Sequence, residues 1–493
     1  MSLSRLRPPA VALGVLLLTA LLAGVARADL PRPLPYGQPV TGVAVTGCSA
    51  DAATVPSDYL GLSVEWSMVQ HWFGTSRTDV VQPTIALLQS LEATPGAGGV
   101  LRIGGNSQDG YVWNPKADLG TNTLFAGSIT PGMIDALLEV SRMSGWRLVL
   151  GLNLRDDRPD QAAALTHYAV THDPTQQLLA VELGNEPTTY FGSDSDGYIA
   201  RLHTYVDALQ NDPVTRSVRI TGPALSNRTD LRFLTAMQQS FGSLMPFLTW
   251  HHYANRPSIT TLLSSAVSAE WTDRLAQVRL AAQGTPTRMD EGNSVGNGGL
   301  DRVSNVMGST AWLTDAMLTG AESGLAGFNV HSWDGFYYAT ERRTSYYTPF
   351  VVRDGLVYPR PEFYALALLK NVTGKQFCST TTADSPTAPV KAWSLRDATT
   401  GHLLVYVVEK RPAHAPALVH VFAPSGYTGG AAVSRIEDPG GCGGRSTTID
   451  SATLPTGGGF TWSPASLAAA PGTSTYSLRL GACQTALLDI SPG

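Results

Sequence analysis

Positive charge is scarce in this chain. Its 493 residues carry 34 Lys and Arg against 39 Asp and Glu, a net of −5. The first 28 residues read as an export signal, and its removal would take away Arg5, Arg7 and Arg27 and no acids. That leaves 31 basic against 39 acidic residues, or −8. Such a balance repels polyanions at long range, which excludes nucleic acid as a general partner. Arg342 and Arg343 are a local basic spot, and an adjacent arginine pair is also what a solvated loop carries. Long apolar runs are missing as well, apart from Val11 to Val25. That run follows Arg5 and Arg7, precedes Ala26-Arg27-Ala28, and is short for a membrane span, as expected of a cleaved signal. The expectation is an exported protein without a membrane anchor after cleavage.

Cysteine is limited to Cys48, Cys378, Cys442 and Cys483, at spacings that match no zinc motif. Export favours disulfides, and three pairings are possible. Cys442 with Cys483 would stay within the C-terminal segment, and Cys48 with Cys378 would tie the start of the chain to a region far downstream. No ligand cluster or phosphate-binding loop stands out, so neither a metal nor an organic cofactor is implied.

What is present is alternation. Eight apolar strands are expected at Leu60–Glu65, Val100–Gly104, Arg147–Asn153, Leu179–Asn185, Arg219–Gly222, Phe247–His252, Thr287–Glu291 and Gly324–His331. Helical stretches lie between them, among them Pro131–Met143, Gln161–His172, Tyr198–Gln210, Ser258–Gln283 and Asp301–Thr319. Eight such repeats predict an α/β fold, a (β/α)₈ TIM barrel over 58–370. Beyond Gly374 helical periodicity vanishes. Runs such as Leu403 to Val408 and Ala417 to Phe422 alternate with turn residues, as in a C-terminal antiparallel β-sandwich over 371–493. The strand-like segment Pro39–Cys48, within 29–57, is expected to join that sandwich. Tyr427–Gly444 and Pro455–Gly459 read as loops.

Two segments carry the chemistry. Val181-Glu182-Leu183-Gly184-Asn185-Glu186-Pro187 and Arg288-Met289-Asp290-Glu291 each read as a strand ending in a glutamate. A barrel strand that delivers a carboxylate at its C-terminal tip exposes it on the active face. Two such acids, one a proton donor and one a nucleophile, are the minimum for cleaving a glycosidic bond. Other polar and aromatic residues fall at the same strand ends. They are Glu65, Arg102, Asn106, Asp109, His251, Tyr253, His331 and Trp333. Arg102 reads as a supporting ion-pair partner of a carboxylate. Glu65 and Asp109 each suit either hydroxyl binding or loop structure, and His251 either site lining or core packing.

The segments Leu101-Arg102-Ile103-Gly104-Gly105-Asn106-Ser107, Gly184-Asn185-Glu186-Pro187, Thr249-Trp250-His251-His252-Tyr253 and Glu291-Gly292-Asn293-Ser294 resemble glycoside hydrolase family 79. That is the β-glucuronidase and heparanase family of retaining clan A barrel enzymes. The resemblance spans the whole chain after the signal, sandwich included. It implies Glu186 as acid/base, Glu291 as nucleophile, Asn185 on the hydroxyl beside the anomeric carbon, and Tyr253 holding the nucleophile. It further implies that the glycine-rich loop Gly292 to Gly299, through Asn297 and Gly298, offers backbone N–H groups to a sugar carboxylate, since such a loop can form an anion nest. Tyr347, with Tyr346 and Tyr338 as competitors, would supply a tyrosine hydroxyl. The chain departs from the family at Gly296, near which an aromatic residue commonly stands. The expected activity is that of a secreted retaining β-glycosidase releasing glucuronic acid from β-glucuronides. The expected partner is a glycan or small glucuronide, and the acidic balance argues against a dedicated cleaver of heparan sulfate. The alternatives are a retaining hydrolase of a neutral sugar (a β-xyloside or arabinofuranoside) and a non-catalytic carbohydrate-binding protein.

Overall fold

The computed structural model describes residues 40–49, 52–117, 123, 125–226, 230–335, 344–382, 389–414 and 416–493. The expected signal segment, Arg342, Arg343 and Tyr338 lie outside the described residues.

Strand β1 (Val40–Gly47) precedes eight parallel strands. These are β2 (Leu60–Glu65), β3 (Val100–Gly104), β4 (Arg147–Leu152), β5 (Leu178–Leu183), β6 (Ile220–Thr221), β7 (Leu248–Tyr253), β8 (Thr287–Asn293) and β9 (Gly327–Ser332). Each pairs with the next except β6 with β7, and β9 returns to pair with β2. Closure between β6 and β7 runs through the segment after β6. There Thr249 N–H donates to Gly222 O at 2.7 Å and His251 N–H to Leu225 O at 2.8 Å. Strand β6 is short because Pro223 follows it and has no N–H for the ladder. The fold is therefore a (β/α)₈ barrel.

Helices surround the strands with ordinary end signals. Pro131–Ser144 starts at Pro131, is capped by the Thr130 hydroxyl accepting from Met133 N–H, and stops at Gly145 in the left-handed region. Two expected helices differ from their sequence reading. Ser258–Gln283 is split into Ile259–Leu262 and Ser265–Ala281, because Ser264 is extended and starts a new helix. Asp301–Thr319 begins as helix only at Met307 and runs to Glu322, since the residues before Met307 form turns.

The barrel floor is polar. Arg288 is 1% exposed and donates from Nε to Asn329 Oδ1 at 2.6 Å. Asn329 in turn donates to the carbonyls of Leu62 and Val100, both at 3.1 Å. A Cβ at Gly61 would lie 2.3 Å from Asn329, and one at Gly327 2.0 Å from Arg288. These glycines are what admit two large polar side chains between the strands.

The second sheet system is built on β10 (Gln376–Thr382), β11 (Val390–Arg396), β12 (Leu403–Glu409), β13 (Ala417–Phe422), β14 (Ala431–Glu437), β15 (Thr475–Leu480) and β16 (Thr485–Ile490). Strand β10 belongs to both layers, pairing with β11 in one and with β1 in the other. Its Cys378 is bonded to Cys48, and Cys442 to Cys483. The ladders are antiparallel except that β1 runs parallel to β13. Strand β14 lies inside the stretch read from sequence as loop. Its flanking glycines mask a strand that buries Val433 and Ile436. Strand β12 is buried throughout. Leu403, Val405 and Val407 face the other layer, while Leu404, Tyr406 and Val408 join the core continuous with the barrel. Burial on both faces explains its uninterrupted apolar run. Between barrel and sandwich lie Met307–Glu322 and Pro361–Leu369, buried around almost their whole circumference.

Candidate active site

A register shift creates the site. Along β7 and β8, Met289 is paired with Trp250 and Glu291 with His251, so Asp290 is an extra, unpaired residue. In a regular strand Asp290 and Glu291 would point to opposite faces. The bulge leaves both inside the barrel, Asp290 at 1% and Glu291 at 6% exposure.

Glu291 is held from several sides. Its Oε2 accepts from Arg102 Nη1 at 2.8 Å, and its Oε1 accepts from the Tyr253 hydroxyl at 2.7 Å. His331 Nδ1 is 3.6 Å and His251 Nε2 3.9 Å from Oε2. Burial alone would raise the pKa of this carboxyl. The fields of His251, His331 and Arg102, with the tyrosine hydrogen bond, outweigh it and hold Glu291 well below the ordinary carboxylate range. The Tyr253 hydroxyl is pushed well above its ordinary value, first by burial and then by the Glu291 charge, so it stays a donor.

Glu186 stands across from it, just past β5. It sits in the left-handed region at φ 45°, and its N–H donates at 3.0 Å to the carbonyl of Ala224, itself at φ 48°. Such conformations cost energy and cluster at working sites. Its side chain is 25% exposed, which leaves room for a leaving group, and Oε1 lies 3.0 Å from His251 Nδ1. Ligand atoms of Glu186, His251 and Glu291 all lie within 4.8 Å of one another. Three such groups could surround a cation geometrically. The Arg102 guanidinium on Glu291 already supplies positive charge there, so the donor set suits proton transfer better than metal binding.

Arg102, fully buried, is the hub. It donates from Nε to Glu182 Oε2 at 2.8 Å, from Nη2 to Asn185 Oδ1 at 2.8 Å, and from Nη1 to Ser63 Oγ at 3.2 Å. Asn185 is thereby fixed beside Glu186. His331 shares Ser63 with Arg102, at 3.1 Å. Trp333 donates from Nε1 to the Tyr347 hydroxyl at 2.7 Å, and the Tyr347 ring lies 6.1 Å from Tyr253 and 5.7 Å from His331. The loop after Glu291 closes against this wall. A Cβ on Gly298 would sit 3.3 Å from the Trp333 ring and from Thr344 O, and its φ is 91°. Asn297 is exposed at φ 55°. Among the described residues the N–H groups of Asn297 and Gly298 donate to no protein acceptor.

Three sequence candidates take supporting positions. Glu65 turns both oxygens to the next loop, accepting from Asn106 N–H at 3.1 Å and from Ser107 N–H at 2.8 Å. Asn106 has an exposed side chain and meets Glu65 through its backbone. Asp109 accepts from Leu154 N–H at 3.3 Å, and burial pushes its carboxyl up to about 6. Of the two roles open to Glu65 and Asp109, these contacts favour holding loops. Glu182, Asp290 and Ser63 escaped the sequence reading. For Glu182 the available signal was an acid at an inward position of an otherwise apolar strand.

A barrel with two facing glutamates at its strand ends and a sandwich attached is the architecture of glycoside hydrolases. No family model matches the chain. It is 23% identical over 373 residues to a β-glucuronidase of Aspergillus niger, covering 65% of this chain and 67% of that protein. Among solved structures it is similar to a 4-O-α-L-rhamnosyl-β-D-glucuronidase from Fusarium oxysporum 12S, with a TM-score of 0.73 and 17% identity over 91% of this chain and all of that one. It is also similar to the GH51 arabinofuranosidase from Xanthomonas axonopodis pv. citri, with a TM-score of 0.68 and 14% identity over 92% of this chain and all of that one.

Proposed function

We propose that this protein is an exported retaining β-glycosidase of family 79 type that releases glucuronic acid from β-glucuronides. The observation that carries the proposal is the facing pair. One oxygen of Glu186 and one of Glu291 lie within 4.8 Å of each other, in keeping with the close carboxyl pair, about 5–5.5 Å apart, of retaining enzymes. Glu291, kept ionised, attacks the anomeric carbon while Glu186 protonates the departing oxygen. The glycosyl ester to Glu291 cancels that negative charge. Glu186 then takes a proton from the incoming water, and the configuration is retained. Asn185, oriented by Arg102, grips the hydroxyl beside the anomeric carbon, and Tyr253 keeps Glu291 in attack geometry.

The uronate part rests on three supports: the similarity to a β-glucuronidase, the N–H groups of Asn297 and Gly298, which meet no acceptor among the described residues, and the Tyr347 hydroxyl on the same wall. Two disulfides fit an oxidising compartment. A neutral-sugar reading has its own support, in the absence of any basic residue from Gly292 to Gly299 and in the arabinofuranosidase-like fold. A panel of chromogenic glycosides, run with Glu291→Gln as control, separates them. Preferential turnover of the glucuronide, abolished by Glu291→Gln, is expected. Faster turnover of a neutral glycoside would overturn the uronate assignment, and binding without any turnover would overturn the hydrolase.

A further inference from the structure

Around Arg102 the barrel interior holds three carboxylates, those of Glu182, Asp290 and Glu291, and all four side chains are at most 6% exposed. Arg102 is the guanidinium that all three approach, it cannot hydrogen-bond them equally, and ionised carboxylates in contact repel. The geometry says where relief comes from. Glu182 takes two close contacts from Arg102, from Nε at 2.8 Å and Nη2 at 2.7 Å. Glu291 takes Nη1 at 2.8 Å and the Tyr253 hydroxyl. Asp290 has neither, since the basic nitrogens nearest it are Arg102 Nε at 3.5 Å and His251 Nε2 at 3.8 Å. Both Asp290 oxygens and Glu182 Oε1 are buried without a donor, although the two side chains are in hydrogen-bonding contact with each other. Buried polar atoms are rarely left so.

We infer that Asp290 is held as a neutral acid whose proton bridges to Glu182 Oε1, and that it is a positioning residue, locking Glu182 and through it Arg102 against Glu291. The groups facing Asp290 are Arg102 on β3, Glu182 on β5, His251 on β7, and Arg288 and Glu291 on its own strand. Burial raises the Asp290 carboxyl well above its ordinary range, and the Glu182 charge adds to it. Burial would raise Glu182 too, but Arg102 and the Asp290 hydrogen bond bring it below its ordinary value. The role rests on the glycosidase reading. When Glu291 becomes esterified, a neutral Asp290 leaves Glu182 as the one carboxylate on Arg102. An ionised Asp290 would compete with Glu182 for that guanidinium at that step.

Infrared spectroscopy of the full protein at pH 8 tests the protonation state without substrate. A carboxylic-acid carbonyl band is expected that moves when aspartate side-chain carboxyls carry carbon-13 and is lost in Asp290→Asn. No aspartate-labelled band, or one that survives Asp290→Asn, would overturn the assignment; a glutamate-labelled band belongs to Glu362, whose carboxyl burial likewise raises well above its ordinary range. The positioning role is read from kcat/KM on whichever glycoside is turned over. Asp290→Asn, which still donates, should stay within threefold of wild type, and Asp290→Leu, which cannot, should lose at least tenfold. A hundredfold loss in Asp290→Asn, or no loss in either variant, would overturn that role. If Asp290→Leu fails to fold, Asp290→Asn still decides. If no glycoside is turned over, the proposed function falls while the shared proton stands on its spectrum.

Discussion

Tyr253→Phe removes one oxygen from the wall of the site and little else. The ring keeps its place 6.1 Å from Tyr347, and Glu291 keeps Arg102 on its other oxygen. What disappears is a 2.7 Å hydrogen bond to an ionised, buried carboxylate. Bonds to charged groups contribute about 1.5–3 kcal/mol. If that stabilisation serves to hold Glu291 for attack, kcat/KM falls by about 10- to 150-fold. The same loss lets the Glu291 pKa rise toward its ordinary range. Glu291 must be ionised to attack, so the acidic limb of the kcat/KM profile moves to higher pH. It does not reach neutrality, because His251, His331 and Arg102 are the larger influences and remain. The assay is kcat/KM for an aryl β-glucuronide from pH 3 to 9, with circular dichroism to show an unchanged fold. A loss below threefold with an unmoved acidic limb would refute the positioning argument. A loss beyond ten-thousandfold would show that Tyr253 does more than position.

Three further outcomes follow from buried groups and cross-links. Asp315 bridges Lys410 and Lys391 between barrel and sandwich, and despite burial those cations hold its carboxyl well below the ordinary range. Its contribution is present above the unfolded pKa of 3.8 and is lost as pH falls below it. Asp315→Asn should therefore cost about 3–5 kcal/mol at pH 7, with a gap in Tm from wild type that narrows below pH 4; a constant gap would contradict the ion pair. Asp109 has the opposite sign, since a folded pKa of about 6 makes it destabilising as pH rises from 3.8 to 6. Asp109→Asn should raise Tm at pH 8, by at most about 3 kcal/mol in stability, and leave it unchanged at pH 4; an equal change at both would sink that reading. The Cys442–Cys483 bond closes a 41-residue separation. Replacing both with Ser should cost about 4 kcal/mol by chain entropy, and an unchanged denaturation midpoint would contradict it.

Much of this architecture is legible in the chain, and where legibility stops has physical causes. The eight barrel strands are buried on both faces, so they read as apolar runs, and two of them, Leu60–Glu65 and Val100–Gly104, have the same bounds in sequence and structure. Glu186 and Glu291 stand out because each ends such a run. Asp290 does not, because alternation admits only one of two adjacent residues to the barrel interior, and the bulge opposite Trp250 and His251 admits both Asp290 and Glu291. Bulges depend on the neighbouring strand and leave little local trace. Glu182 is hidden for a related reason, since its partner Arg102 lies 80 residues away in sequence. Strand Ala431–Glu437 was concealed by the glycines around it, and the parallel pairing of β1 with β13 joins segments no local pattern connects.

The central claim is that Glu186 and Glu291 act as a retaining pair on a β-glucuronide. The most direct test is to follow hydrolysis of an aryl β-glucuronide by proton NMR and read the anomeric configuration of the first sugar released, before mutarotation. The account predicts β-glucuronic acid, and no release by Glu291→Gln. First-formed α-glucuronic acid would contradict the pairing, and unchanged release by Glu291→Gln would contradict the assignment of the nucleophile.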